Sequence, residues 1–320
     1  MKAKPIIILG SGNSGSGAIK DYLSSRNDMF EPLGGQEFRL IQEKDGLSCL
    51  HKSLTSEFHP DKSSYAIIQF IELAKRLGKS SKKLSLPPKL GYHFSSRIPN
   101  YNKEVNNFIQ EITSCSFKIT HLRDLLSLNT FDWIRYMNGR LPKFSNLEKP
   151  IPVTHDEFMK KAEDFISSLF FENSAYPKDK QGFIFDQAGS FWSPLSSTQY
   201  FGSKRKTIVV SRDPRDIYTQ NINLYGGSVS DFINYHNSIM KHISNNEWSH
   251  ESILHIKFEK FVQNYDEEYK LLCDFLDIDY LVKSNYDPEL SKKNIGVYKN
   301  YLTEEDSNLI LHNCLEVGIL

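Results

Sequence analysis

The chain has 320 residues, 39% of them apolar, 12% aromatic and 24% charged, which is enough hydrophobic side chain to offset the entropy of ordering and excludes a disordered polymer. Thirty-nine Lys and Arg balance thirty-nine Asp and Glu, so no whole-chain field selects nucleic acid or an anionic surface, and any anion site has to be a local cluster. The early apolar run Ile6 to Leu9 is far short of the ~20 residues that span a bilayer, and no integral membrane segment is expected.

Pro5 to Leu9 is a β-branched run without polar alternation, the pattern of a strand buried on both faces of a parallel sheet. It ends in Gly10-Ser11-Gly12-Asn13-Ser14-Gly15-Ser16-Gly17, after which Ala18, Ile19, Tyr22 and Leu23 recur at helical spacing. Strand, glycine-rich loop and helix form a phosphate cradle: backbone N–H groups converge on an anion, and the helix adds its positive N-terminal dipole. Lys75 to Pro99, with Lys-Ser-Ser-Lys-Lys and Pro-Pro, reads as surface loops or a lid. Thr154 and Glu157 form a capping box ahead of the stripe Phe158, Ala162, Phe165, Ile166, Leu169.

Further strands are expected at Phe183 to Phe185, Thr207 to Val210 and Ile253 to Phe258, followed by the helical stripe Phe261, Tyr265, Tyr269, Leu272, Leu276. Thr303 caps an acidic helix start at Glu304-Glu305-Asp306. Strands alternating with helices predict an α/β fold, a three-layer sandwich around a central, mostly parallel sheet with a P-loop-like nucleotide site. The organisation expected is a single domain over 1–320, with helical insertions over about 47–176.

Two segments carry chemistry. The cradle matches the nucleoside-triphosphate template at Gly10 and Gly15, but Ser16 stands where that template has lysine and Gly17 where it has a magnesium-binding hydroxyl. That weighs against a P-loop nucleotide kinase, the first alternative. In Val209-Val210-Ser211-Arg212-Asp213-Pro214-Arg215-Asp216-Ile217, an arginine just past a buried strand can grip a phosphate with two parallel hydrogen bonds.

Together with Leu254-His255-Ile256-Lys257-Phe258-Glu259-Lys260-Phe261 and Lys292-Lys293-Asn294-Ile295-Gly296-Val297-Tyr298-Lys299-Asn300-Tyr301-Leu302, these segments resemble, in order, those of the sulfotransferases that use 3′-phosphoadenosine 5′-phosphosulfate (PAPS). The resemblance implies sulfonate transfer from PAPS to an acceptor hydroxyl, leaving 3′-phosphoadenosine 5′-phosphate (PAP), with no metal and no nucleic acid partner; a glycan or glycoconjugate is the preferred acceptor and a hydrophobic small molecule the next choice. It implies a donor site from Gly12, Asn13, Ser14, Gly15, Ser16 and Gly17 for the phosphosulfate, and from Arg212 with Thr219 or Gln220 and Lys293, Asn294, Ile295 and Gly296 for the 3′-phosphate. Asn13 replaces the lysine or arginine common in that loop, and Gln220 replaces the serine eight residues past the arginine. These departures keep a second alternative open, a nucleotide-binding module without transfer activity.

A base for the acceptor hydroxyl has three candidates: Glu37, which resembles the base of the carbohydrate branch and leads, Asp186 at a strand end, and His121 in Lys118-Ile119-Thr120-His121-Leu122, which resembles the small-molecule branch. The region 47–176, outside the nucleotide segments, is expected to build the acceptor site. Four widely separated cysteines, Cys49, Cys115, Cys273 and Cys314, form no metal or disulfide pattern and fit the cytoplasm.

Overall fold

The computed structural model describes residues 3–80, 91–119, 128–138, 145–225, 228–241 and 245–315; for 117–119, 145–147, 222–225 and 245–246 only the backbone is described. The chain divides into two compact units, one of Met1–Ile41 with Phe170–Leu320 and one of Gln42–Leu169.

In chain order the strands are β1 (Lys4–Gly10), β2 (Met29–Phe30), β3 (Thr113–Ile119), β4 (Ser145–Pro150), β5 (Gly182–Asp186), β6 (Lys206–Ser211) and β7 (Ile253–Lys257). The helices used below are α1 (Ser16–Ser24), α2 (Leu47–Leu54), α3 (Pro60–Gly78), α4 (Tyr101–Ile112), α5 (His155–Phe170), α6 (Pro214–Tyr225), α7 (Val229–Met240), α8 (Phe258–Gln263), α9 (Tyr265–Leu276), α10 (Pro288–Lys292) and α11 (Glu304–Asn313).

The first unit holds a five-stranded sheet in the order β2-β5-β1-β6-β7, parallel throughout. Alternate residues bury opposite faces. Ile6 and Ile8 of β1 with Ile184, Ile208, Val210 and Ile256 pack against Tyr22 of α1, Phe261 of α8 and Leu272 and Leu276 of α9. On the other face Ile7, Leu9, Phe185 and Val209 are fully covered, and the Phe185 ring meets those of Phe170 and Phe201 at 4.8 Å each. Each fully buried side chain of this size contributes about 1.5–3 kcal/mol. Both faces being apolar explains why the strands read as continuous runs. A further cluster on this unit joins Ile217 and Tyr218 of α6, Val229, Phe232 and Ile233 of α7, and Ile310 of α11.

The register sets the functional edge. Ile8 lies opposite Asp186, Gly10 opposite Val210 and Ser211 opposite Lys257, so the carboxyl ends of β5, β1, β6 and β7 share one side. From β1 the chain leads through α1 to β2 on one flank, while from β6 it leads through α6 to β7 on the other. The crevice where those directions part, between β1 and β6, is where open α/β sheets bind ligands.

The second unit is helical, with the antiparallel pair β3–β4. Its core includes Ile67 and Phe70 of α3, Phe108 of α4 and Phe158 of α5, all at most 2% exposed. The capping box is present: Glu157 Oε2 accepts from Thr154 N at 2.8 Å, and Thr154 Oγ1 accepts from Glu157 N at 3.3 Å. His51 of α2 stacks on Phe158 with 4.6 Å between ring centroids and lies 3.1 Å, Nε2 to Nδ1, from His155. Lys75 to Gly78, read from sequence as loop, complete the last turn of α3, and residues 81–90 of the expected lid lie outside the described residues.

Candidate active site

The glycine-rich loop closes on itself before α1 begins. Ser14 N donates to Ser11 O at 3.0 Å and Ala18 N to Gly15 O at 3.0 Å. Asn13 and Gly15 take left-handed backbone, with φ of 62° and 85°. Gly15 caps α1 without a side chain, and a Cβ there would lie 2.3 Å from Cδ2 of Phe258, so the loop depends on glycine for both conformation and close approach.

Arg212 leaves the end of β6 and joins three segments. Its Nη1 donates to the Asn13 carbonyl and to Gln220 Oε1, both at 2.9 Å, while Nη2 donates to the Asn294 carbonyl and faces Asp216 Oδ2 at 3.5 Å. The guanidinium also lies 5.3 Å from the centre of the Phe258 ring. Although the side chain is 97% buried by its 3% exposure, its Nε has no hydrogen-bond partner among the described residues. The buried hydroxyls of Ser14 and Thr219 are likewise without partners among those residues. Three buried polar groups left open in segments that meet at one arginine form a donor set suited to an anion with several oxygens.

Of the residues proposed from sequence, Asn13, Arg212, Gln220 and Asn294 are in direct contact, and Gly296 joins them through Asp216. Ile295 packs on the sheet's hydrophobic cluster, Lys293 is exposed, and a Cβ at Gly17 would meet nothing within 4 Å.

At the end of β5, Asp186 Oδ2 pairs with Lys20 at 3.6 Å, and its Oδ1 is buried without a partner among the described residues. Burial pushes the Asp186 carboxyl above the usual carboxylate range; Lys20 opposes this and the charge of Glu37 reinforces it. Phe38 N donates to the Asp186 carbonyl at 2.9 Å, which brings the Glu37 segment to the same strand end. Glu37 itself is bound by Arg39, with Oε2 accepting from Nε at 2.7 Å and lying 2.5 Å from Nη2. His121 lies outside the described residues.

Four residues enter the site without having been singled out as site residues. Gln187 spans the ends of the loop, accepting from Gly10 N at 3.3 Å and donating to Ser16 Oγ at 3.2 Å, on a left-handed backbone with φ 49°. Asn221 donates to the Gly12 carbonyl at 3.2 Å and accepts from Asn13 Nδ2 at 2.7 Å. Phe258 fills the space behind Gly15, and Asp216 sits beneath Arg212. Asp216 and Phe258 lie inside the motifs, and Gln187 follows Asp186; for Asn221 the sequence carries no signal beyond its place after Gln220.

No family model matches the chain, and neither does any curated protein. Among solved structures it is similar to the sulfotransferase domain of the Synechococcus PCC 7002 olefin synthase, at 11% identity over 97% of this chain and 94% of that one, TM-score 0.43. It is also similar to a sulfotransferase from Alicyclobacillus acidocaldarius (10% identity, 98% of each chain, TM-score 0.36) and to the sulfotransferase domain of the curacin biosynthetic pathway (12% identity, 98% and 97%, TM-score 0.40).

Proposed function

We propose that this chain is a sulfotransferase that moves the sulfonate of PAPS to a hydroxyl of a glycan or glycoconjugate acceptor. The observation that carries the reading is the meeting of the glycine-rich loop at Asn13, α6 at Gln220 and the C-terminal segment at Asn294 on Arg212, with open polar groups at Arg212 Nε, Ser14 and Thr219. A kinase of nucleotides would need a cation at position 16, where this chain has Ser16.

The loop amides and the N-terminus of α1 would hold the 5′-phosphosulfate, and Arg212 with Gln220 or Thr219 the 3′-phosphate. PAPS supplies an activated sulfonate on a phosphate leaving group. The chain's part is to align that group with the acceptor oxygen and to remove the hydroxyl proton.

We assign the proton to Asp186, in preference to Glu37. Its Oδ1 has no competing partner among the described residues and burial raises the pKa of its carboxyl, whereas the Glu37 carboxylate is already held by Arg39. Lys20, already paired with Asp186, would stabilise charge around the reacting groups. The chain is taken to act as one catalytic domain in which residues 47–176 select the acceptor, in the cytoplasm, where its four free thiols are stable.

Incubation with PAPS carrying labelled sulfonate and a panel of oligosaccharide and small hydroxylated acceptors tests this. Label should appear on a carbohydrate acceptor and disappear with Arg212→Ala. Tight PAP binding with no transfer to any acceptor would instead favour a nucleotide-binding module.

A further inference from the structure

Asp216 lies in the first turn of α6 with its side chain at 0% exposure. A carboxylate taken that far from water is costly unless every oxygen is paired. Here Oδ2 accepts from Gly296 N at 2.9 Å and faces Arg212 Nη2 at 3.5 Å, while Oδ1 accepts from Tyr298 N at 2.9 Å. The N-terminal dipole of α6 favours the same charge. Tyr298 is held a second time, by Arg215, whose guanidinium lies 4.1 Å from the ring centre and is itself fixed by Asp213.

Besides the Arg215 stacking, the segment 294–298 therefore has two anchors. One is the bond from Arg212 to the Asn294 carbonyl, which uses the guanidinium proposed to take the 3′-phosphate. The other is Asp216, whose two backbone contacts leave Arg212 free to change partners. We infer that Asp216 is a positioning residue that keeps the 294–298 segment latched beside Arg212 when the guanidinium turns to a nucleotide phosphate. Asparagine cannot replace it, because its NH₂ would face one of the two N–H donors. The inference rests on the nucleotide reading above for its effect on the donor, but the latch itself is a property of the chain alone.

Amide hydrogen exchange on the full chain, with and without PAP, tests it together with donor kinetics. In the wild type the Gly296 and Tyr298 amides should exchange slowly even without nucleotide. Asp216→Asn should speed them at least ten-fold while the amides of β1 and β6 keep their protection, and should raise KM for PAPS by 10–100-fold with kcat within about two-fold. If Asp216→Asn fails to fold, the wild type decides: the Gly296 and Tyr298 amides should stay protected when PAP is added, and loss of their protection on PAP binding would overturn the latch. Fast exchange of both amides in the wild type, or an unchanged KM in the folded variant, would overturn the latch. A wild type that shows protected amides but no affinity for PAP would sink the nucleotide reading and leave the latch standing.

Discussion

Replacing Gly15 by alanine puts a single methyl where the structure has no room for it. The backbone there is left-handed at φ 85°, and the new Cβ would lie 2.3 Å from Cδ2 and 2.5 Å from Cγ of Phe258. Phe258 cannot swing into solvent, since it is 3% exposed and packed in the cluster that contains Ile6, Ile8, Tyr22 and Phe261. The left-handed conformation costs about 1–2 kcal/mol for a residue with a Cβ, and overpacking a tight core about 1–3 kcal/mol more, so the variant should lose about 2–5 kcal/mol. Against a typical stability of about 5–15 kcal/mol that is a large fraction, yet the chain should still fold. Gly17→Ala is the control: nothing lies within 4 Å of its Cβ, its φ is not positive, and it sits inside α1. It should gain up to about 1 kcal/mol from helix propensity. Urea unfolding followed by circular dichroism measures both. Equal midpoints for Gly15→Ala and wild type, or a larger loss in Gly17→Ala, would refute the packing argument.

Three further outcomes are expected. Asp186→Asn should lower kcat ~10²–10⁴-fold at saturating PAPS while Glu37→Gln loses less, and initial rates showing the reverse order would return the base to Glu37. Asn221→Ala removes the partner of Asn13 and Gly12 from a site 2% exposed and should cost about 1–3 kcal/mol, read by urea unfolding. His51 is held down at about 4 by burial first and then by the charges of His155 and Lys52, below its unfolded value of about 6.5. The folded chain thus resists its protonation: the stability is intact above pH 6.5 and is lost as pH falls from there towards 4. His51→Phe, which keeps the stacking on Phe158, should flatten that part of the stability curve.

The sheet was legible because β1, β5 and β6 are covered on both faces, and burial of that kind writes unbroken apolar runs into the sequence. Boundaries shifted only at the ends; Phe258, read as strand, opens α8 because its chain turns at the sheet edge. β2 has two residues, too few for any period, and the β3–β4 pair is built from Thr-Ser-Cys-Ser and Ser-Asn-Leu-Glu-Lys segments with no apolar run. The end of α3 was hidden by Lys75, Arg76 and Gly78, residues that elsewhere end helices, although Ala74 and Leu77 continue the buried stripe. At the site, residues whose type announces their chemistry, such as Arg212 and the loop glycines, could be named. Gln187 could not, because its role depends on β5 lying beside β1 across some 170 residues of intervening chain, and an amide has no chemical signature until that neighbour is known. His121, the third base candidate, lies outside the described residues.

The central claim is that Arg212 and the segments around it form a site for a 3′-phosphorylated nucleotide, and calorimetric titration of the full chain with PAP and with AMP tests it most directly. A charge-assisted hydrogen bond is worth about 1.5–3 kcal/mol, so PAP should bind on the order of 10–100-fold more tightly than AMP, and Arg212→Ala should abolish that difference. Equal affinity of the wild type for PAP and AMP would contradict it.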